Sequence, residues 1–375
     1  MQRPQTHTTA ATPATPARTG MHIAFFGSSL LSAYWNGAAT YYRGIIRAMH
    51  ERGHRVTFYE PDALGRQAHR DMDPPPWAEV VVYGDDVAEV HRCLERAGRA
   101  DVIVKASGVG VFDELLEAAV PTLRRDGTRV VYWDVDAPAT LTRMDADPAD
   151  ALIAQVARYD MVLTYGGGPG VIEAYRRRGA RCCAAVHNGV DPRTHHRVPP
   201  DARFAGDLAL MANRLPDREA RIERFFFEPA ARLGDRRFVL GGSGWADKAL
   251  PGNVDYLGHV YTRDHNAFNV SPLAVLNVNR QSMAEAGYSP ATRLFEAAGV
   301  AACVISDAWP GVEAFFEPGR EVLVADDGQA VAEHVRRLTP ATARQIGEAA
   351  LARVLAEHTY AHRAAQLERL LETGA

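Results

Sequence analysis

Two charged side chains in residues 288–299, "YSPATRLFEAAG", have the types and the spacing of a binding site. Ser289 followed by Pro290 predicts the start of a helix, because serine favours the N-cap and proline the first helical position. Arg293 and Glu296 then lie three residues apart, on one face of that helix. A guanidinium near a helix N-terminus suits a phosphate group, and a carboxylate one turn further suits paired sugar hydroxyls. A surface ion pair, worth less than about 1 kcal/mol, is the competing interpretation.

Glycines that follow predicted strands mark other places where a ligand can approach the backbone. Gly241 and Gly242 open the segment "GGSGW" after one strand, and Gly258 with His259 ends another strand in "YLGHV". Glycine lets a backbone come close to a ligand because it has no side chain.

The first half of the chain offers a long loop and a lysine. Asn36 and Gly37 lie in "GSSLLSAYWNGAAT", which follows the first strand, and helix amides there can meet an anion. The competing interpretation is an ordinary connection, and the G-x-G-x-x-G pattern of nicotinamide or flavin binding is absent. Lys105 closes the apolar strand "VIVKAS", where it points either to solvent or to an anion.

Two carboxylates in "WDVDAPAT" are the candidates for acid or base chemistry. Asp134 and Asp136 are two residues apart at the end of a strand, so they face the same way. Either one can orient a hydroxyl acceptor or act as a base, and either is also explained as an N-cap or turn residue. No further ligands follow at a recognisable spacing, and His195 with His196 lies in a linker, so we predict no metal site.

Short apolar runs that alternate with helical patterns must position these residues. Such strands predict parallel sheets covered on both faces, which bind ligands at the carboxyl ends of their strands. The alternation of strand and helix patterns stops in a linker rich in proline and histidine and resumes after it. We therefore predict a tail over 1–20, a Rossmann-like domain over 21–190, a linker over 191–206, a second such domain over 207–340, and C-terminal helices over 341–375 that pack back on the first domain.

Length and composition exclude several classes of protein. The chain has 375 residues, of which 47% are hydrophobic, and its formal net charge is −4. There is no basic patch that would track nucleic acid and no run of about 18 apolar residues that would span a membrane. The four cysteines lack CxxC spacing, which favours a reduced cytoplasm. Residues 1–20 lack the apolar centre of a secretory signal, so we expect a disordered tail or an over-long start before Met21.

Several segments together resemble a GT-B glycosyltransferase and, more narrowly, the spore maturation protein CgeB-like family. The resemblance covers about residues 21–373 and rests on "IAFFGSSLLSAYWNGAATYYRGIIRAMHERGHRVTFYEPD", "WDVDAPAT", "LTYGGGPGV", "HNGVDP", "NRLPDRE", "YLGHVYTRDHN" and "SPATRLFEAAG". It implies two Rossmann-like domains around a cleft, with a nucleotide-diphosphate sugar, most simply a UDP-sugar, as co-substrate. Hexosyl transfer would need neither a metal nor a tightly bound cofactor.

The resemblance also implies roles for individual residues. It places the donor nucleotide on the C-terminal domain, against Gly258, His259, Tyr261, Ser289, Arg293 and Glu296. Asn36 and Gly37 would approach the phosphates from the opposite domain, and Asn188 with Asp191 would mark the crossover between domains. Asp134 and Asp136 would serve an acceptor whose class is left open.

One departure from the family pattern affects the transferred sugar. Many retaining relatives carry a glutamate eight positions before the one that matches Glu296, and here that position is Tyr288. The sugar and the stereochemical outcome are therefore left open, as is the oligomeric state. Two other functions also stay open, a GT-B nucleotide-sugar epimerase and a non-catalytic coat or surface protein that keeps the fold.

Overall fold

The computed structural model describes residues 20–34 and 36–373. Within them the chain forms two α/β domains, each built on a parallel sheet, which confirms the predicted fold class. The prediction of a disordered tail over 1–20 falls, apart from Gly20, outside the described residues.

The N-terminal domain is a doubly wound sheet with the strand order β3-β2-β1-β4-β5-β6-β7. Its paired strands all run parallel, and the order reverses between β1 and β4, which opens a crevice at their carboxyl ends. The strands are β1 His22–Phe26, β2 Arg55–Pro61, β3 Glu79–Tyr83, β4 Val102–Ala106, β5 Arg129–Asp134, β6 Met161–Thr164 and β7 Cys183–Ala185.

The C-terminal domain repeats this architecture with the order β10-β9-β8-β11-β12-β13, and its reversal lies between β8 and β11. Its strands are β8 Leu208–Met211, β9 Phe238–Gly241, β10 Val254–Gly258, β11 Ala274–Asn277, β12 Val304–Asp307 and β13 Leu323–Ala325. Apart from β10, most of their residues are buried, because helices cover both faces of the sheet.

Helices cover the sheets of both domains. Those of the N-terminal domain are α1 Ala39–Glu51, α2 Val87–Ala97, α3 Asp113–Ala119, α4 Ala137–Ala146, α5 Ala151–Val156 and α6 Pro169–Arg177. The others are α7 Pro216–Ile222, α8 Glu228–Arg232, α9 His265–Val270, α10 Gln281–Ala286, α11 Thr292–Gly299, α12 Gly328–Arg337, α13 Pro340–Glu357 and α14 Tyr360–Thr373. Among the described residues, no helix is long and apolar enough to cross a membrane.

The predicted helix start at Ser289 is wrong. Helix α11 begins at Thr292, and its N-cap residue is Ala291, which makes no capping hydrogen bond through its side chain. The Ser289 hydroxyl instead donates to the carbonyl oxygen of Gly287 at 2.9 Å. The residues before the helix are held by the other domain, since the Tyr288 carbonyl accepts a hydrogen bond from the Gly167 amide at 2.8 Å.

The last helix returns to the N-terminal domain. Thr339 caps α13 through its hydroxyl, and the chain turns at residues 358–359 between α13 and α14. Helix α14 then packs on α1, with the Tyr360 ring so close to Gly44 that a Cβ there would lie 2.2 Å from it. This contact fastens the end of the C-terminal half to the first domain.

Candidate functional site

A cleft of about 960 Å³ lies between the two domains, at the carboxyl ends of both sheets. Loops after β1, β4 and β5 form the N-terminal wall, and loops after β8, β9, β10 and β11 together with α11 form the opposite wall. Both topological reversals therefore open into the same space, which is where doubly wound sheets bind ligands.

Three arginines, Arg218, Arg280 and Arg293, line the C-terminal wall of the cleft. The Nε atom of Arg293 is buried with no hydrogen-bond partner, and no described residue forms an ion pair with its guanidinium. Burial lowers the pKa of Arg293, and the nearby charge of Glu296 opposes that shift. Burial and then the like charge of Arg293 lower the pKa of Arg218 to about 10. Arg218 and Arg293, unlike Arg280, form no ion pair with a described residue, and an anion between them would supply a counter-charge.

Glu296 lies one turn along α11 and also lines the cleft. Its carboxylate is 3.6 Å from Nε2 of His195, which comes from the linker. His265 lines the same part of the cleft, and burial lowers its pKa while Glu296 opposes that shift. Arg293 and Glu296 thus share a face, as predicted, yet no ion pair joins them.

Glycines keep the approaches to the cleft open. Gly242 lines it with φ +120°, and a Cβ at this position would lie 2.2 Å from the carbonyl oxygen of Ala212. Gly37 lines the cleft from the N-terminal wall. No other atom lies within 4 Å of the position that a Cβ would occupy there. Gly258 ends β10 with φ +70° beside His259, which lines the cleft.

Asp136 and Asp134 have different surroundings despite their spacing. Asp136 lines the cleft, and its Oδ2 accepts a hydrogen bond at 2.7 Å from Nη1 of Arg280 in the other domain. Asp134 is fully buried, and its carboxylate accepts hydrogen bonds from the Ser107, Thr140 and Tyr175 hydroxyls and from the Asp136 amide. Burial raises the pKa of Asp134, and those hydrogen bonds oppose the shift. Asp134 therefore holds the loop that presents Asp136.

Lys105 and Asn36 are occupied by contacts within the N-terminal domain. Lys105 is fully buried, and its ammonium binds the carboxylates of Asp113 and, at 3.4 Å, Glu117. Asn36 lines the cleft, but its amide donates to the carbonyl oxygens of Ser29 and Ser32 and accepts from the Ser28 hydroxyl, which fixes the loop.

The sequence-predicted residues thus divide into two groups. Those that line the cleft are Asn36, Gly37, Asp136, Gly242, His259, Arg293 and Glu296. Those that do not are Lys105, Asp134, Gly241, Gly258, Tyr261 and Ser289, although Gly241, Gly258 and Tyr261 adjoin lining residues. Asn188 lies at the crossover, where its amide donates to the Pro290 carbonyl oxygen at 3.1 Å. Asp191, nearby, binds Arg193.

Sequence reasoning missed several lining residues. Arg280 lies three residues after the end of β11, and Arg218 lies in α7, within the segment "NRLPDRE" that follows β8. Their places between a strand and the next helix, or early in that helix, were the available signal. Asn279 also lines the cleft, and its Nδ2 is buried without a hydrogen-bond partner. Among the described residues, no group of three or more histidine, cysteine, aspartate or glutamate side chains could hold a metal ion.

Comparisons with known proteins agree with this geometry. Residues 218–369 match the family model described as "Glycosyl transferase-like". No curated protein matches the chain.

Solved structures match nearly the whole chain at low sequence identity. HepE from Anabaena, solved in complex with UDP-glucose, is 14% identical with a TM-score of 0.65, covering 94% of this chain and 100% of its own. Sucrose-phosphate synthase from Thermosynechococcus elongatus is 15% identical with a TM-score of 0.67, covering 94% and 98%. AviGT4, a glycosyltransferase of avilamycin A biosynthesis, is 17% identical with a TM-score of 0.61, covering 95% and 99%. The chain therefore has the GT-B fold of these proteins, and its residues 218–369 match the glycosyl transferase-like family.

Proposed function

We propose that this protein is a glycosyltransferase that moves a hexosyl group from a UDP-sugar to an acceptor in the interdomain cleft. One observation carries the proposal: Arg218 and Arg293 are half-buried with Nε atoms that are buried and unpartnered, and neither forms an ion pair with a described residue, beside Glu296 in the cleft. The family match over residues 218–369 and the UDP-glucose bound to a protein of the same fold support it.

The donor nucleotide lies along the C-terminal wall in this proposal. The diphosphate binds between Arg218 and Arg293, near the N-terminus of α11, where helix amides add a positive field. The ribose hydroxyls donate to Glu296, one helical turn further. The base lies near Gly258, His259 and Tyr261, and Gly37 leaves room for the phosphates on the other side of the cleft.

Transfer breaks the bond between the sugar and the diphosphate, and negative charge develops on the leaving phosphate. Arginines placed in advance stabilise that charge, since they need no reorganisation when it develops. They take the place that a divalent cation would have, so the reaction we propose is metal-independent. Asp136 faces the cleft from the opposite wall, where its carboxylate can orient the acceptor hydroxyl or accept its proton.

Tyr288 does not take the place of the glutamate found in many retaining relatives. Its ring packs between Gly168 of the first domain and Gly311 of the second. A Cβ added at either glycine would lie 2.4 Å from the ring. In this proposal the sugar contact comes from other residues, and Asn279 offers an amide nitrogen, Nδ2, that has no partner and lines the cleft.

Two finer assignments belong to the same proposal. The motifs "WDVDAPAT" and "SPATRLFEAAG" support a place in the CgeB-like family. The four cysteines, which are buried and free, support a cytoplasmic location.

A thermal-shift screen against UDP, GDP, CDP, dTDP, NAD and nucleotide sugars tests the function. A ligand at 100 times its Kd adds about 2.7 kcal/mol of stability, which is readily measured. Stabilisation by UDP and not by NAD is the expected result, whereas no stabilisation by any nucleotide would favour a coat or surface protein. The protein is then incubated with the stabilising nucleotide sugar and no acceptor. An epimerase would convert the sugar into its epimer under these conditions, whereas a glycosyltransferase would not.

A further inference from the structure

The two walls of the cleft carry opposite charge. The C-terminal wall has three arginines and one carboxylate, Glu296. The N-terminal wall has four carboxylates and two arginines, namely Asp113, Glu114, Glu117, Asp136, Arg66 and Arg143. A diphosphate has its counter-charge on the first wall, so the acidic wall faces the other substrate.

Nearby cations neutralise these carboxylates only in part: Asp136 pairs with Arg280 of the other wall, and the charges of Lys105 and Arg143 act on Glu117. Arg143 forms an ion pair at 2.7 Å with Asp150, which does not line the cleft. Arg66 donates from Nη1 to the carbonyl oxygens of Ser28 and Val109. Lys105 lies behind the wall and is shared by two carboxylates, and no ion pair within the described residues involves Glu114. Negative charge therefore remains in excess on this wall.

Hydrogen-bond acceptors also remain unfilled on this wall. Glu117 binds Lys105 through Oε1, while its Oε2 makes no hydrogen bond to any described residue. Burial raises the pKa of Glu117, with Lys105 opposing, so a further cation nearby would stabilise its charged form. Tyr132 lines the cleft although it is 1% exposed, and its hydroxyl has no partner in the described part of the chain. A hydroxyl that belongs to a buried, cleft-lining side chain and has no partner in the protein indicates a group that a ligand can complete.

We propose that the acceptor is a polyol that carries a protonated amino group, and that Glu114, Glu117 and Tyr132 bind this ammonium. An ammonium donates three hydrogen bonds and accepts none, which matches a wall of unfilled acceptors with excess negative charge. A neutral polyol would fill the acceptors and leave the charge unbalanced. This inference rests on the proposed transferase function, since it concerns the acceptor half of the same cleft.

The reaction stays balanced with this acceptor. An acceptor hydroxyl oxygen forms the new bond to the anomeric carbon, the bond from that carbon to the diphosphate breaks, and the nucleoside diphosphate leaves. The hydroxyl proton goes to Asp136 or to the leaving diphosphate. The ammonium takes no part in bond making and serves to orient the hydroxyl.

A paired acceptor screen tests the inference. The nucleotide sugar that stabilises the protein most is incubated with amino sugars and aminocyclitols, each beside its N-acetylated derivative, and release of the nucleoside diphosphate is measured. We expect the free amines to be used with a KM at least about tenfold lower than their N-acetyl partners. Equal use of both members, use of the N-acetyl members alone, or binding of the donor with transfer to neither would overturn the inference.

Two variants locate the effect. Glu114→Gln should raise the KM of the amine acceptors and leave the Kd of UDP within a factor of about two, because Glu114 lies on the opposite wall from the arginines. Glu95→Gln, which changes an exposed carboxylate of α2 outside the cleft, is the control. An unchanged amine KM in Glu114→Gln would contradict the assignment. Failure of the parent protein to bind any nucleotide would instead overturn the transferase function itself, and this inference with it.

Discussion

Oδ2 of Asp136 in the N-terminal domain accepts a hydrogen bond from Nη1 of Arg280 in the C-terminal domain at 2.7 Å. Arg280 also binds Asp217 on its own domain, so one guanidinium connects a carboxylate on each side of the cleft. The other carboxylate oxygen of Asp136 accepts no hydrogen bond from a described residue, and Asp136 lines the cleft where we place the acceptor. This arrangement allows Asp136 to act on the acceptor while Arg280 fixes its position.

Asp136→Asn should therefore reduce kcat about 100-fold or more while the Kd of UDP changes little. The amide keeps the shape of the side chain but cannot accept a proton, and the diphosphate contacts lie elsewhere. Steady-state kinetics and calorimetric titration of UDP measure the two effects. Asp145→Asn is the control, since Asp145 also pairs with an arginine but within its own domain. A larger change in UDP affinity than in kcat would discard the acceptor role.

Arg293→Ala should weaken UDP binding by more than about tenfold, which is about 1.4 kcal/mol. The apo protein should unfold at the same temperature or a higher one, because the substitution removes a half-buried guanidinium whose Nε is buried without a partner and which has no ion pair in the described structure. Arg344→Ala, at an exposed position of α13, is the control for both measurements. Unchanged UDP affinity would show that the arginine cluster does not bind the diphosphate.

Glu296→Ala should remove the preference of the protein for a ribose over a 2′-deoxyribose in the bound nucleotide. We expect the parent protein to bind UDP at least about tenfold more tightly than 2′-deoxy-UDP, because Glu296 then loses one hydroxyl partner. The variant should bind both nucleotides with similar, weak affinity. A variant that still distinguishes the two would mean that another residue holds the ribose.

Gly37→Leu should fold normally and bind the donor poorly. A Cβ at Gly37 meets no atom within 4 Å, so a larger side chain has room and extends into the cleft toward the proposed phosphate position. Gly234→Leu is the matched control, since Gly234 has equally open surroundings outside the cleft. Equal affinity for UDP-sugar in the two variants would contradict the position we assign to the phosphates.

Acid should weaken the junction between α13 and α14. Burial, and then the charge of Arg363, lower the pKa of His358 to about 4 from 6.5, with Glu357 opposing and Arg353 adding to the shift. Between these pH values the unfolded chain binds more protons than the folded one, so stability falls as pH decreases through that window.

The variant His358→Gln tests this pH dependence. Glutamine cannot titrate, but it can keep the hydrogen bond to the Phe315 carbonyl oxygen. The slope of unfolding free energy against pH should decrease by up to about 1.4 kcal/mol per pH unit between pH 4 and 6.5. His91→Gln, at an exposed position, is the control. An unchanged slope in His358→Gln would mean that His358 does not stay neutral in the folded protein.

The strands that could be predicted from the sequence are those with a continuous run of apolar residues. Neither β3 nor β7 was among the predicted strands. The apolar run 80–83 of β3, half-exposed at the sheet edge, was a usable signal, whereas β7 has only three residues. Ser289 was misplaced because a local capping rule could not anticipate the contact that Tyr288 makes with the other domain.

The candidate site was predictable where local spacing determines it. Arg293 and Glu296 share a face of one helix, so their common exposure to the cleft followed from a spacing of three. The proximity of Arg218 to Arg293, and of Asp136 to Arg280, depends on how strands and domains come together, which no local pattern contains. Asp134 and Asp136 have the same spacing signal, but the buried hydroxyls around Asp134 distinguish them.

A crystal structure of the protein with UDP tests the central claim most directly. We predict that the diphosphate lies between the guanidiniums of Arg218 and Arg293, and that the ribose hydroxyls lie within hydrogen-bonding distance of Glu296, about 2.5–3.0 Å. A nucleotide bound away from these residues, or an Arg293–Glu296 ion pair formed in place of the contacts to the nucleotide, would contradict the account.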